Sequence, residues 1–143
     1  MSSGGPPEPT AHSGGSAAPT LFIDRDTWSH LLDRELRAAG IPFVAHREVF
    51  KPDTPDSERI TEVGSRGWTV ITCDKNIRRR PNELRAVRAA GVRLFALTSG
   101  NPSAADTATA IIKAWPAIQR EVGRTPAPAL FSVSRGGEVR LLK

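Results

Sequence analysis

The sequence predicts an α/β fold with a mainly parallel central sheet, helices on both faces and a C-terminal hairpin. Short apolar runs alternate with single segments of helical periodicity, which is the order of strands joined by crossover helices. Residues 68–72 form a β-branched run without polar alternation, which indicates a strand covered on both faces. Residues 130–133 and 139–142 flank the turn residues Arg135, Gly136 and Gly137, and this pattern predicts the hairpin.

The first half of the chain predicts two strands and the helix between them. Residues 20–24 (TLFID) form an apolar run ending in an acid, and apolar residues then recur at helical spacing over 28–39. Asp26 is the predicted N-cap of that helix, because its carboxylate can accept hydrogen bonds from the first free backbone N–H groups. Residues 42–46 (PFVAH) form the second strand, and a polar loop is predicted through Asp53.

The second half continues the alternation of helices and strands. Residues 54–56 (TPD) predict a helix start, with the Thr54 hydroxyl as cap and an acid near the positive end of the helix dipole. After the strand at 68–72, Pro81 begins another helix. Residues 92–98 then form a strand, and residues 104–122 a long helix with Pro116 as a candidate kink.

Length and composition predict one domain over residues 20–143, preceded by a disordered leader over residues 1–19. The leader is rich in Gly, Ser, Pro and Ala and has almost no large apolar residue to offset the entropy of ordering. Neither a signal peptide nor an apolar run of membrane-spanning length is evident, so the protein is expected to be soluble and cytoplasmic. Cys73 is the only cysteine, which excludes an internal disulfide and a cysteine-rich zinc site.

Three acids stand where such a sheet brings side chains together. Asp24 follows the first strand, Asp56 begins the second helix, and Asp74 follows the central strand. Parallel strands end at one edge of a sheet, where ligand crevices lie, and clustered carboxylates favour a cation such as Mg²⁺ or Mn²⁺. Each acid also has a simpler interpretation as a cap or a partner of a helix dipole, so the metal hypothesis depends on their joint placement.

A basic segment follows Asp74 directly. Residues 75–93 contain seven basic residues and one acid, Glu83, whereas the whole chain has a net charge of +5. Such clustering is typical of surfaces that bind phosphate backbones, although it also occurs on solvated helix faces. The predicted RNA-binding residues are Lys75, Arg78, Arg79 and Arg80.

Together these motifs resemble the PIN-like ribonuclease superfamily, specifically the small PIN-like domains of VapC-type toxins. The resemblance is carried by IDRD, TPDSE, ITCDK with the basic run after it, LFALTSG and the terminal hairpin, and it covers residue 21 to about residue 142. It implies a three-layer α/β/α sandwich and a Mg²⁺- or Mn²⁺-dependent endoribonuclease of a toxin-antitoxin pair, inhibited by a cognate antitoxin protein. A homodimer is plausible on the same ground.

The resemblance also assigns site residues. Asp24, Asp56 and Asp74 match the acidic metal-binding and catalytic positions, and Asp26 is a candidate fourth ligand, with helix capping as its preferred role. Full-length PIN ribonucleases have a further acid just after the third, whereas Lys75 and Asn76 occupy that neighbourhood here. This departure leaves open one or two metals, and a domain that binds RNA but cleaves it poorly.

Ser99 and Asn101 follow the fourth strand and are candidates to line the same crevice. An ordinary turn is the preferred interpretation of both residues.

Other classes of protein match parts of this pattern. The Asp24 to Thr27 segment resembles the start of haloacid-dehalogenase-like phosphatases. Those enzymes need a later lysine and an acidic pair to hold Mg²⁺, but Lys113 lies inside a helix pattern and no acidic pair follows it. A phospho-accepting receiver domain needs a lysine after the fifth strand, and residues 130–135 of this chain contain none. A non-catalytic RNA- or protein-binding module remains open as an interpretation.

The three histidines, His12, His30 and His46, lack the spacing of zinc ligands and are expected to be structural or exposed.

Overall fold

The structure, a computed structural model, describes residues 18–73, 81–98 and 102–142, without the side chains of Asp56, Ser57 and Glu83. The strands are β1 Leu21–Ile23, β2 Phe43–Ala45, β3 Thr69–Thr72, β4 Arg93–Leu97, β5 Ala129–Val133 and β6 Val139–Leu141. The helices are α1 His30–Ala38, α2 His46–Val49, α3 Asp56–Ser65, α4 Pro81–Ala90 and α5 Ala104–Arg124.

The strands form one six-stranded sheet in the order β2-β1-β3-β4-β5-β6. All neighbouring pairs are parallel except β5 and β6, which are antiparallel. The predicted parallel sheet with a C-terminal hairpin is therefore confirmed. The order places β1 between β2 and β3, so the chain leaves β1 toward one side of the sheet and returns to its other side at β3.

Apolar side chains cover both faces of the sheet, which makes three layers. On one face α1 and α5 pack against alternate strand residues, and the rings of Phe95 and Phe131 stack there with centroids 4.3 Å apart. On the other face Val63 of α3 and Val87 of α4 pack against Phe22 and other strand residues. The strands are apolar without polar alternation because both of their faces are buried.

The long helix α5 lies on the same face of the sheet as α1. Helix α4 covers the opposite face, although α4 and α5 connect strands in the same direction across the sheet. These two consecutive crossovers therefore have opposite hands, against the strong preference for one hand in parallel sheets. As a result, the start of α5 lies near the carboxyl ends of β1 and β3, where Thr107 of α5 approaches Cys73.

Two predicted helix caps are wrong. Ser29, not Asp26, is the N-cap of α1, and its hydroxyl accepts a hydrogen bond from the Leu32 N–H at 3.0 Å. The turn after β1 uses the residues up to Ser29, so the helix begins later than the apolar spacing indicates. The N-cap of α3 is Pro55, without a side-chain hydrogen bond, so Thr54 does not cap that helix.

The second strand ends earlier than predicted, and part of the predicted loop is helical. Residues His46–Val49 form the short helix α2 instead of the end of a strand and the start of a loop. The Glu48 carboxylate accepts a hydrogen bond from the Ala45 N–H at 3.0 Å, which stabilises this single turn. The consequence is that His46 turns into the space beside β1, where it is buried.

Residues 1–17 of the predicted disordered leader lie outside the described residues. Within the described ranges, no helix has the length and apolar character needed to cross a membrane.

Candidate functional site

The candidate site lies at the carboxyl ends of β1 and β3. Ile23 and Ile71 are aligned in the parallel register, and the Asp24 N–H donates to the Ile71 carbonyl at 3.3 Å. The strand order reverses here: β1 is followed by β2 on one side of it, whereas β3 is followed by β4 on the other side. In open parallel sheets the ligand crevice forms outside the carboxyl ends at such a point. Asp24 and Cys73, the residues that follow β1 and β3, therefore lie at the edge of the sheet where such a crevice forms.

The Asp24 carboxylate is held by three described donors. Its Oδ1 accepts from the Arg25 N–H at 2.9 Å and forms an ion pair with Arg59 Nη1 at 3.4 Å. Its Oδ2 accepts from the Thr72 hydroxyl at 3.3 Å. The side chain of Asp24 is still 26% exposed, so a carboxylate oriented by protein groups remains accessible from the crevice.

Arg59 is the site residue that the sequence analysis missed. It lies on α3, three residues after Asp56, and its side chain is only 17% exposed. Residues three apart on a helix share one side of it, so a signal was present once Asp56 was assigned to the site. The local pattern does not show that Arg59 contacts Asp24, because the two residues are 35 positions apart in the chain.

A second pair of residues connects the loop after β1 to the segment after β3. The buried Thr27 hydroxyl oxygen accepts a hydrogen bond from the Cys73 N–H at 2.9 Å. The Cys73 sulfur in turn lies 3.9 Å from the Thr107 hydroxyl of α5. Thr27 therefore fixes the backbone one residue before Asp74.

We expect Thr27→Val to reduce the free energy of unfolding by about 1–2 kcal/mol. Valine has nearly the shape of threonine but lacks the hydroxyl oxygen, so the Cys73 N–H loses its acceptor. Thr27→Ser keeps the hydroxyl and is expected to cost less. Urea unfolding of both variants measures the difference. A loss in Thr27→Ser with none in Thr27→Val would show that packing of the methyl group, and not the hydrogen bond, is what Thr27 contributes.

The structure places the other predicted site residues unequally. Asp56 is the first residue of α3, as predicted, but its side chain lies outside the described part of the structure. Asp26 is exposed in the turn after β1. The remaining predicted site residues all fall outside the described residues: Asp74, Lys75, Arg78, Arg79, Arg80, Ser99 and Asn101.

The histidines in the described residues behave as expected. His30 is exposed, and its ring contacts Trp28 edge-on with centroids 4.8 Å apart. His46 is 3% exposed and lies between aromatic rings, with centroids 6.3 Å from Phe22 and 5.5 Å from Phe50. It is a structural residue beneath the site.

The pKa of His46 reports the charges around the crevice. Burial lowers this pKa below the ordinary value of 6.5, and the positive charges of Arg59 and Arg25 lower it further. The carboxylates of Asp24 and Asp26 act in the opposite direction and do not overcome the lowering. Among the described residues, charges of both signs therefore act on His46.

We expect the protein to lose stability as the pH falls below about 6.5, the ordinary pKa of histidine. Below that pH the unfolded chain protonates His46 while the folded protein resists, so the unfolded state binds more protons. The loss should be complete only below the lowered pKa of the folded state.

Urea unfolding between pH 5 and 8 measures this dependence. His46→Leu should flatten the curve, whereas His30→Gln, a change at an exposed histidine, should leave its shape unchanged. A curve of the same shape in His46→Leu and wild type would contradict the assignment.

The chemistry of Asp24 fits a hard divalent cation. A carboxylate offers about four lone-pair positions, and the three described donors leave capacity for a further partner on its exposed side. Among the side chains that the structure describes, no three His, Cys, Asp or Glu come together as a metal-binding group. A site with Asp24 and two further ligands of these types would therefore include at least one side chain outside the described part of the structure.

Comparisons with known proteins identify the family. The family model described as "PIN like domain" matches residues 19–99. The chain is 30% identical over 126 residues to the Mycobacterium tuberculosis (strain ATCC 25618 / H37Rv) protein named "Putative ribonuclease VapC45", an alignment that covers 85% of this chain and 91% of that relative. No solved structure matches the chain. The chain belongs to the PIN-like domain family and is a VapC-type PIN domain protein. The predicted family and fold are confirmed, and the phosphatase and receiver-domain interpretations are set aside.

Proposed function

We propose that this protein is a metal-dependent endoribonuclease and the toxin of a toxin-antitoxin pair. The observation that carries the proposal is the accessible Asp24 carboxylate. It lies at the carboxyl ends of β1 and β3, where the strand order reverses, and Thr72 and the Arg25 N–H orient it. A relative named as a ribonuclease, aligned over most of both chains, supports the same activity. The functional unit is the PIN-like domain over residues 20–143.

In this proposal Asp24, Asp56 and Asp74 hold one Mg²⁺ or Mn²⁺, with Asp26 as a candidate further ligand. The cation supplies a nucleophile from water at neutral pH and stabilises negative charge on a phosphoryl oxygen. Asp24 contributes a carboxylate whose orientation Thr72 maintains, and Thr27 positions the backbone that leads to Asp74. Preorganised ligands of this kind reduce the reorganisation that the reaction requires.

The RNA backbone is proposed to lie along the cationic residues after β3, which are Lys75, Arg78, Arg79 and Arg80. Ser99 and Asn101 are proposed to line the crevice beside β4. The partner is proposed to be a cognate antitoxin protein in the cytoplasm, with a homodimer as the proposed assembly. These assignments follow from the family and from the charge of the sequence.

The proposal is tested by incubating purified protein with a mixed RNA pool and with DNA of matching sequences. Reactions contain Mn²⁺, Mg²⁺ or EDTA. We expect internal cleavage of RNA with either metal, none in EDTA and little of DNA. If RNA is bound but stays intact in every metal, the non-catalytic binding module becomes the better account.

A further inference from the structure

The guanidinium of Arg59 is a protein cation beside Asp24 at the carboxyl edge of the sheet. It reaches Asp24 from helix α3, and the distance of 3.4 Å is longer than the 2.7–2.9 Å typical of charge-assisted hydrogen bonds. The positive charge of Arg59 also lowers the pKa of His46, which is buried beside β1. A largely buried cation in a site of acids requires a chemical explanation beyond surface charge.

The geometry of arginine suits a second role in this place. A guanidinium carries five N–H donors in a planar fork, and its contact with Asp24 is made through Nη1. The same fork matches two oxygens of a phosphate, which is why arginine is favoured where a phosphodiester is bound in a fixed orientation. Asp24, held by Thr72 and the Arg25 N–H, holds the guanidinium of Arg59 at this edge of the sheet.

Building on the proposed function, we propose that Arg59 binds the phosphodiester that is cleaved. Its guanidinium contacts the non-bridging oxygens and offsets the negative charge that develops on them during the reaction. Arg59 thereby supplies positive charge that a second metal ion would provide in a site with more acids.

The proposal predicts opposite effects on metal binding and on cleavage. Arg59 stands beside a metal ligand and repels a divalent cation, so removing its charge should leave the metal bound as tightly or more tightly. Removing the same charge should slow cleavage even when the metal site is saturated. A residue that merely oriented Asp24 would behave differently, because its loss would weaken metal binding and excess metal would restore the rate.

The test compares Arg59→Gln, Arg59→Lys and the matched control Arg34→Gln, which removes a charge from a side chain 74% exposed on α1. Mn²⁺ affinity is measured from the electron paramagnetic resonance signal of free Mn²⁺. Single-turnover RNA cleavage is measured at saturating Mn²⁺, and RNA affinity in EDTA. Circular dichroism confirms that each variant is folded.

We expect Arg59→Gln to cleave about 100-fold more slowly at saturating Mn²⁺, with a dissociation constant for Mn²⁺ equal to or below that of wild type. Arg59→Lys keeps the charge without the fork and should recover part of the rate. If Arg59→Gln does not fold, a reduced rate of Arg59→Lys at unchanged Mn²⁺ affinity supports the proposal, and a wild-type rate overturns it.

Other outcomes separate this inference from the proposed function. Cleavage by Arg59→Gln at the rate of Arg34→Gln, or a defect that excess Mn²⁺ abolishes, overturns the role of Arg59 while the nuclease stands. If wild type cuts no RNA, the nuclease proposal fails, and RNA affinity in EDTA decides about Arg59. A greater loss of affinity in Arg59→Gln than in Arg34→Gln then supports phosphate binding, and equal losses overturn it.

Discussion

Asp24→Asn is expected to lower RNA cleavage by about 10³-fold while leaving the fold intact. Asparagine has the same shape as aspartate and keeps a carbonyl oxygen to accept from Thr72, but it loses the negative charge that holds the cation. A loss of 10³-fold corresponds to about 4 kcal/mol, within the several kcal/mol that a bound metal ion contributes to stabilising transition-state charge. Rates are measured at saturating Mn²⁺ with an RNA that wild type cleaves.

The stability of this variant should change little. Asp24 and Arg59 form a partly exposed ion pair at 3.4 Å, and such pairs contribute about 1 kcal/mol or less. Asp53→Asn is the matched control, since Asp53 is exposed in the loop before α3 and the charge change is identical. On an RNA that wild type cleaves, cleavage by Asp24→Asn within a few-fold of this control would show that Asp24 is not a metal ligand.

Gly64→Ala is expected to destabilise the protein at the upper end of the range of about 1–3 kcal/mol that overpacking costs. A Cβ at Gly64 of α3 would lie 2.3 Å from the carbonyl oxygen and 2.9 Å from the Cβ of Ala90 in α4. A backbone carbonyl cannot rotate away as a flexible side chain can, so the two helices must separate. Because α3 carries Arg59 and begins at Asp56, the separation should also disturb the site.

Gly123→Ala provides the matched control for this effect. Gly123 lies in α5 with nothing within 4 Å of the added methyl group. There alanine should stabilise the protein by up to about 1 kcal/mol, since it has the higher helix propensity. Urea unfolding of both variants measures the contrast, and a change in the same direction at both glycines would contradict the close approach of α3 and α4.

Local patterns were sufficient for most elements of the fold. The apolar runs at β1, β3 and β4 and the helical spacing in α4 and α5 required only periodicity and breakers, and each element appeared within a few residues of its predicted bounds. Boundaries that depend on competing local hydrogen bonds were less predictable. Both Asp26 and Ser29 are good capping residues, and the turn after β1 decided for Ser29.

The site divides in the same way. An acid after a buried strand is visible in the sequence, and Asp24 indeed lies at the carboxyl edge, beside the segment that leads to Asp74. The contacts of Asp24 with Arg59 and Thr72 were not visible, because they join residues 35 and 48 positions apart. No periodicity or cap within one segment encodes which other segment will lie next to it.

By itself, therefore, the sequence determined where most of the strands and helices lie, which acids follow strands and which family the chain resembles. These features depend on interactions within a few residues, such as side-chain period, caps and turn propensities. Only the tertiary structure decided that β1 lies between β2 and β3, that α5 shares a face with α1, and that Arg59 pairs with Asp24. Those outcomes depend on how the described helices cover the two apolar faces of the sheet. This packing is a property of all the elements together and not of any one of them.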